Sequence, residues 1–380
     1  MLSLSEAVRT ELQFERGSGA FVYKATHGVS EAFCIGTNPH GGYMLSLAAS
    51  ALVKHQRGHL PFRESDDAAR SRQARVSHTR SGPFHPDMAH IRSDFYKPAS
   101  PGPCQIELTP TSTSKNWSRL DFRLTQYATV GDNQTDVVEI LSGHAMFTNL
   151  PAVPGPELPV KERVTVLPHT PLPQARKCPL TVHPSKLKKS KVYSGAQFKN
   201  IVHWTGKGEA GVEAKDALEW ACWWGMDQDE DDVTNSAVLL PFFADQFMNG
   251  PELLPDEYSP GRAWYPTLTF SLDVKSKYPL TPIPKLANSA PAKHTVGLYS
   301  LTKAVHEGRH DITVEVWSAP SEIDDQDCTV DDDWRHKAQL LGVSTQMALV
   351  ISREKKTARP GSASSSDSER PASVTPPGKL

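Results

Sequence analysis

His85 to Pro98, HPDMAHIRSDFYKP, is echoed later in the chain by Pro266 to Pro279, PTLTFSLDVKSKYP. Both segments alternate apolar and polar residues as a β-strand does, and both end on a basic residue, an aromatic residue or Lys, and Pro. Two further pairs of segments repeat in the same order: 114–125 (SKNWSRLDFRLT) with 305–316 (VHEGRHDITVEV), and 140–146 (ILSGHAM) with 341–347 (LGVSTQM). A repeat of this length predicts two copies of one structural unit, fused in a single chain.

Length and composition fit two domains. The chain has 380 residues, of which 38% are apolar, so each half can bury a sizeable core. With 41 basic and 43 acidic residues the formal net charge is −2, which gives no general attraction to nucleic acid or to a membrane surface. We predict an N-terminal domain over 1–150, a linker over 151–200, a C-terminal domain over 201–353, and a disordered tail over 354–380.

Several kinds of site have no support in the sequence. The five cysteines are far apart and form no CxxC pair, which is typical of a reducing compartment and predicts no metal site. The chain lacks GxSxG, a P-loop and a GxGxxG after a strand, so we expect no nucleotide or other cofactor.

The sequence also bears on location. No apolar run approaches the ~20 residues that cross a bilayer, and the first residues do not resemble a secretory signal. We therefore predict a cytoplasmic protein without a membrane span. The last three residues, Gly378-Lys379-Leu380, differ from the peroxisomal Ser-Lys-Leu signal at Gly378 and leave a peroxisomal location as the alternative.

Each half contains an apolar helix ahead of its strands. The first is predicted around 44–53 (MLSLAASALV), after Gly41-Gly42, and the second over 236–248 (SAVLLPFFADQFM). Because such a helix has no strongly polar face, it must be surrounded by protein. The predicted fold class is therefore α+β, with a curved antiparallel sheet wrapped around a central helix in each half. A capping box of Ser3 and Glu6 predicts one more short helix, ending near Leu12.

These segments resemble a known family. NPHGGYM and HPDMAHIRSDFYKPASPGP in the first half, and ADQF, WYPTLTFSLDV, EGRHDITVEVW and LLGVSTQMAL in the second, are similar to the tandem (double) hotdog acyl-CoA thioesterases of type II. The resemblance covers roughly residues 20–350. It implies that the protein hydrolyses acyl-CoA to a carboxylic acid and CoA by direct attack of an activated water, and that it forms a homo-oligomer.

The resemblance also implies a site in the second half. The family uses an Asp on the central helix, a Thr or Ser on the next strand and a Gln on the last strand, which match Asp245, Thr267 and Gln346. Thr269 and Ser271 are alternatives to Thr267, since alternation would place all three on one face. A carboxylate within an apolar helix should have a raised proton affinity and so suit a base. Backbone N–H groups beside the helix are expected to polarise the thioester carbonyl.

Other interpretations remain open. Asp245 could be a helix cap, Thr267 a simple strand former, and Gln346 a core amide. Asn38 and His40 are predicted to cap the first helix.

Two alternative functions follow from the same fold. One is a catalytically silent double hotdog that binds acyl-CoA or assembles with other subunits. The other is a hydratase or dehydratase, which we disfavour because the helix segment shows no paired Asp and His. At the matching places the first half offers Ser46 or Ser50 and His144, so we expect it to act as a scaffold.

Overall fold

The computed structural model describes residues 2–58, 85–130, 134–150, 177–192, 195–206, 208, 211, 217–227, 231–280 and 290–352. The predicted tail over 354–380 and much of the predicted linker lie outside the described residues. Among the helices described, none is long and apolar enough to cross a membrane.

Most strands join one 14-stranded sheet. Those of the first half are β1 Thr10–Glu15, β2 Phe21–Ala25, β5 Asp87–Phe95, β6 Cys104–Thr113, β7 Ser118–Val130 and β8 Gln134–Thr148. Those of the second half are β9 Ser190–Lys191, β10 Val202–Trp204, β11 Leu218–Met226, β13 Thr267–Val274, β14 Thr295–Thr302, β15 Val305–His306, β16 Arg309–Ser318 and β17 Leu340–Leu349. Two small ladders pair β3 Cys34–Ile35 with β4 Asn38–Pro39, and β12 Ala263–Trp264 with β18 Ile351–Ser352.

The order of the strands confirms the internal repeat. Outward from the centre of the sheet, the first half runs β5-β8-β7-β6-β2-β1 and the second runs β13-β17-β16-β14-β11-β10. The two halves meet where β5 pairs with β13 antiparallel, with Ile91 opposite Leu272. Each of the three repeated sequence segments therefore forms the same strand of its own half.

The helices are α1 Leu4–Ala7, α2 Gly41–Arg57, α3 Leu240–Ala244 and α4 Trp334–Lys337. Short 3-10 helices lie at Glu31–Phe33, Pro184–Lys186, Gln197–Asn200, Ala237–Leu239 and Gly250–Leu253. Thirteen of the 17 residues of α2 are buried, as expected for a helix that is apolar on nearly all sides. His40 is its N-cap, and its ring Nδ1 accepts the N–H of Tyr43 at 3.3 Å. Asn38 pairs with Ile35 instead, so only the prediction for His40 is confirmed.

Two predicted helices are shorter in the structure. The capping box of Ser3 and Glu6 is present, but α1 ends at Ala7 because the chain from Thr10 pairs with β2. The helix predicted over 236–248 is a 3-10 turn followed by α3, which ends at Ala244. Pro241 lies in the first turn of α3, where a missing N–H costs the helix nothing. The apolar run continues to Met248, but it does so as a loop packed on the sheet.

Part of the predicted linker covers the outer face of the second half. Cys178 and Leu180 pack there with Trp223, Trp317 and Trp334 in a separate buried cluster. β9 adds a further edge strand by pairing with β10. The sheet of the second half is therefore covered on both faces, by this segment on the outer face and by α3 on the inner face.

The two helices α2 and α3 approach each other at Gly42. A Cβ added to Gly42 would lie 2.7 Å from the Cβ of Asp245 and 2.9 Å from the Cα of Phe242, and it would also collide with the carbonyl oxygen of Pro241. One turn further along α2, the hydroxyl of Ser46 accepts the N–H of Phe242 at 3.2 Å. The contact between the halves thus depends on the missing side chain at position 42.

This contact predicts the effect of Gly42→Ala. Because the added methyl group meets backbone atoms that cannot rotate away, we expect the variant to lose about 1–3 kcal/mol of unfolding free energy. Chemical denaturation measures the loss. Gly17→Ala is the matched control, since a Cβ at Gly17 meets no atom within 4 Å. Equal stability of the two variants would contradict the close approach.

Candidate active site

Asp245 lies at the C-terminal end of α3, where it faces the start of α2. Its side chain is only 9% exposed. One carboxylate oxygen, Oδ2, accepts the N–H of Gly42 at 2.7 Å. Since Gly42 is in the first turn of a 17-residue helix, this N–H has no partner within its own helix and is a favourable donor to an anion. The absence of a side chain at Gly41 is also required, because a Cβ there would lie 2.9 Å from Oδ2.

The environment of Asp245 changes its acidity. Burial raises the pKa of the carboxyl group from 3.8 to about 7, and the hydrogen bond from Gly42 opposes part of that rise. The group therefore exchanges between its protonated and ionised forms near neutral pH. That property suits a residue that takes up and returns a proton during a reaction.

His40 comes from the first half and contacts Asp245 of the second. Since its Nδ1 accepts the N–H of Tyr43, the neutral ring carries its proton on Nε2. Nε2 lies 3.2 Å from the backbone oxygen of Asp245 and 3.5 Å from its Oδ2. Burial lowers the pKa of His40 to about 4, against a smaller opposing effect of the bond to Asp245. At neutral pH the pair is therefore a neutral imidazole beside a carboxyl group, and not a salt bridge.

An Asp–His pair is thus present, although the sequence of the helix segment gave no sign of one. Both ring nitrogens of His40 already have partners, on Tyr43 and on Asp245. His40 is therefore placed to orient Asp245 and has no nitrogen to offer to a substrate, so a hydratase that needs two proton-exchanging groups stays disfavoured.

Gln246 completes this cluster. Its Nε2 lies 3.1 Å from Nε2 of His40, while its Oε1 is buried without a hydrogen-bond partner. Two N–H donors facing each other form no hydrogen bond, and the two ends of an amide are assigned from their contacts. Rotating the amide by a half-turn brings Oε1 opposite the N–H of His40, which also points at the backbone oxygen of Asp245.

Gln346 is brought against the end of α3. It is buried on β17, and its Nε2 donates to the backbone oxygen of Ala244 at 2.8 Å and contacts Oγ of Ser344 at 3.3 Å. The side chain therefore holds the residue directly before Asp245. Its Oε1 is buried and has no partner in the part of the chain that the structure describes. This oxygen is an unused acceptor on a side chain that is bonded to the residue before Asp245.

A β-bulge decides which strand hydroxyl shares the face of Gln346. Thr267 pairs with Ala348, but the register then shifts, and Thr269 pairs with Met347. Paired residues point to the same side of an antiparallel sheet, so Thr267 lies on the inner face with Ala348 and Gln346. Thr269 and Ser271 lie on the outer face, and the expectation that all three share one face is wrong. No hydrogen bond joins Thr267 to Asp245 or Gln346 among the described contacts.

The same bulge occurs in β5, which identifies the equivalent positions of the first half. There Met88 pairs with Phe147, and Ile91 pairs with Ala145 beyond the bulge. Met88 and Ala145 therefore stand where the second half has Thr267 and Gln346. No hydrogen-bonding side chain occupies these two positions.

The side chains that the sequence offered at the matching places of the first half make other contacts. His144 lies on the outer face, where its ring centroid is 5.7 Å from that of His90, and Ser46 accepts the N–H of Phe242. The first half is nevertheless more than a scaffold, because Gly42 and His40 form two sides of the candidate site. The sequence showed their motif before the helix, but it contained no signal that this motif faces a residue of the other half.

The fold defines the class of protein. Two matching sets of six strands, each packed on its own helix and joined edge to edge, form a tandem hotdog, as the sequence predicted. Residues 29–148 match the model of the acyl-CoA thioesterase N-terminal domain family. This match agrees, over that part of the chain, with the resemblance found in the sequence motifs.

Solved structures of similar proteins share the fold over nearly their whole length. The chain is similar to a proposed thioesterase II from Thermobifida fusca YX, at 18% identity over 92% of this chain and 98% of that chain, with a TM-score of 0.53. A hot dog fold protein from Alicyclobacillus acidocaldarius is 15% identical over 92% of this chain and 98% of that chain, with a TM-score of 0.51. The acyl-CoA thioesterase II TesB2 from Mycobacterium marinum is 10% identical over 92% of this chain and 98% of that chain, with a TM-score of 0.52. At these identities the similarity establishes the fold alone. No functionally curated protein matches the chain.

The raised pKa of Asp245 predicts a stability effect of Asp245→Asn. Below pH 3.8 the carboxyl group is protonated in both the folded and the unfolded chain, whereas above pH 7 it is ionised in both and the folded state carries the cost of burying the charge. Asn keeps an oxygen for the N–H of Gly42 but has no charge. The variant should therefore gain unfolding free energy over the wild type as the pH rises from 4 to 8, by up to about 4 kcal/mol.

Denaturant unfolding of both proteins across this pH range measures the difference between their unfolding free energies. The effects of other titrating groups cancel in this difference because both proteins contain them. A difference that stays constant with pH would show that Asp245 has an ordinary pKa.

Proposed function

We propose that this protein is an acyl-CoA thioesterase that hydrolyses its substrate by direct attack of water. The observation that carries the proposal is the carboxyl group of Asp245, which is buried, has a pKa near neutrality and accepts the N–H of Gly42, while Gln346 holds the backbone of the preceding residue. The acyl-CoA thioesterase domain matched over residues 29–148 supports this reaction class.

In the proposed mechanism Asp245 acts as the general base. Oδ2 is bound to Gly42, which leaves Oδ1 to accept a proton from water as its oxygen attacks the thioester carbon. The carbonyl oxygen becomes an oxyanion, the carbon–sulfur bond then breaks, and the proton held by Asp245 passes to the departing CoA sulfur. No covalent intermediate with the protein is needed.

Two polar groups are suited to orient the attacking water. Oε1 of Gln346 can accept one of its hydrogens, and the hydroxyl of Thr267 faces the same side of the sheet. The N–H of Gly42 is engaged by Asp245, so it does not serve the oxyanion. We assign the oxyanion donor to the neighbouring N–H of Gly41, at the first position of α2.

His40 has a positioning role in this mechanism. Its N–H is directed at Asp245, and its neutral state avoids an ion pair that would hold the carboxyl group permanently ionised. Homo-oligomerisation and the cytoplasmic or peroxisomal location remain predictions of the sequence. The tripeptide Gly378-Lys379-Leu380 lies outside the described residues.

The first test is Asp245→Asn in a hydrolysis assay. We expect the release of CoA, detected with a thiol reagent over acyl-CoAs of increasing chain length, to fall by at least about 100-fold, since the general base is lost. For the wild type, kcat/KM should rise with pH through about 7, as Asp245 becomes ionised. Asp94→Asn is the control, because Asp94 is an exposed carboxylate on the outer face of the central strand β5.

Full activity of Asp245→Asn would overturn the site. Wild-type protein that binds acyl-CoA but releases no CoA from any of the substrates would overturn the reaction and favour the silent, substrate-binding alternative.

The bulge in β13 predicts which hydroxyl matters. Thr267→Val keeps the shape of the side chain and removes the hydroxyl, so we expect kcat to fall by about tenfold or more. Thr269→Val and Ser271→Ala change residues on the outer face and should leave kcat within about twofold of the wild type. A loss confined to either of these two variants would contradict the register of the strand.

A further inference from the structure

A second polar cluster lies beside the candidate site and has no role in the proposed reaction. His310 on β16 pairs with Ala348, which in turn pairs with Thr267 on β13. The next inward-facing pair of the same strands is Ile312 with Gln346. Two residues along a strand correspond to roughly 7 Å. His310 is therefore one row away from Gln346, on the same inner face.

His310 has one ring nitrogen without a partner. The side chain is buried, at 2% exposure, and its Nε2 lies 3.2 Å from Oδ1 of Asn249, which can only accept a hydrogen bond. Nε2 therefore carries the proton and Nδ1 is an acceptor. Nδ1 is buried and has no donor within the described residues. Burial also lowers the pKa of His310 to about 4, so the ring is neutral near pH 7.

Tyr265 supplies the complementary group. Its ring is perpendicular to that of His310, at 84°, with the centroids 5.6 Å apart. The hydroxyl of Tyr265 is buried and has no partner in the described part of the chain. Burial raises its pKa to about 12, which keeps the hydroxyl protonated and able to donate. Two rings in contact thus present one unused acceptor and one unused donor.

The chemistry of these two atoms selects the ligand group. A buried polar atom without a partner costs roughly 1–3 kcal/mol, so a group that satisfies both atoms gains by binding here. A carboxylate has no hydrogen for His310, and an ammonium group has no lone pair for Tyr265. A neutral amide or a hydroxyl group has both. Acyl-CoA contains such amides in its pantetheine arm, and some acyl chains carry a hydroxyl group.

We propose that Tyr265 and His310 form a subsite that hydrogen-bonds a neutral donor–acceptor group of the acyl-CoA substrate, either a pantetheine amide or a hydroxyl group on the acyl chain. The proposal rests on the proposed function only in taking acyl-CoA as the ligand. It adds a binding contact one row away from Gln346.

Tyr265→Phe tests the subsite with little risk to the fold, because it removes a hydroxyl that has no partner among the residues that the structure describes. We expect the variant to be at least as stable as the wild type, while KM rises about three- to tenfold and kcat stays unchanged, as for the loss of one uniform binding contact. Tyr258→Phe is the matched control, since Tyr258 is 69% exposed. Its KM should not change.

Two substrates separate the two sources of the ligand group. If the rise in KM is equal for hexanoyl-CoA and 3-hydroxyhexanoyl-CoA, the subsite binds the pantetheine amide. If the rise occurs only with 3-hydroxyhexanoyl-CoA, it binds the acyl hydroxyl group. An unchanged KM for both substrates overturns the proposal and leaves the two atoms to an ordered water.

A binding measurement keeps this result independent of turnover. The dissociation constants of two uncleavable thioethers, S-hexyl-CoA and S-(3-hydroxyhexyl)-CoA, can be measured by calorimetry for the wild type and for Tyr265→Phe. Weaker binding of either thioether by the variant supports the subsite even if the wild type hydrolyses no thioester. Equal binding of both thioethers by the two proteins overturns it.

Discussion

The hydrogen bond from the N–H of Gly42 to the carboxylate of Asp245 joins the two halves of this molecule and also sets the chemistry of its site. The bond can form only because position 42 has no side chain, so that the start of α2 and the end of α3 come into direct contact. The approach of the two helices also buries Asp245, and this burial moves its pKa toward neutrality. Packing between the halves and the acidity of the proposed base therefore have one physical cause.

Duplication has been followed by a division of roles. At equivalent places beside the matching bulges, the first half has Met88 and Ala145 and the second has Thr267 and Gln346. The first half supplies the N–H of Gly42 at the start of α2 and the neutral imidazole of His40. Both are directed at Asp245 of the other half. Neither half contains the whole candidate site, since its contacts cross from one half to the other.

The strands were more predictable than the site. Alternation of apolar and polar residues marks a strand wherever one face is buried, and the alternating segments 85–98 and 266–279 contain β5 and β13. The second central helix was predicted too long. Apolar residues past Asp245 are buried whether they pack as a helix or as a loop, so the pattern does not distinguish the two. The bulge at Leu268 was missed as well, since one extra residue leaves the composition of the strand unchanged while moving Thr269 to the opposite face.

By itself the sequence determined that the chain is a tandem repeat of strands around apolar helices, since periodicity and repetition are local properties that a linear pattern records. The resemblance of its motifs to the tandem hotdog thioesterases added Asp245, Thr267 and Gln346 as candidates. Only the tertiary structure decided that Gly42 and His40 face Asp245, and that Tyr265 contacts His310 one row away from Gln346. These contacts join residues far apart in the chain, and the distance between such residues is determined by the packing of helices and strands, which no local pattern encodes.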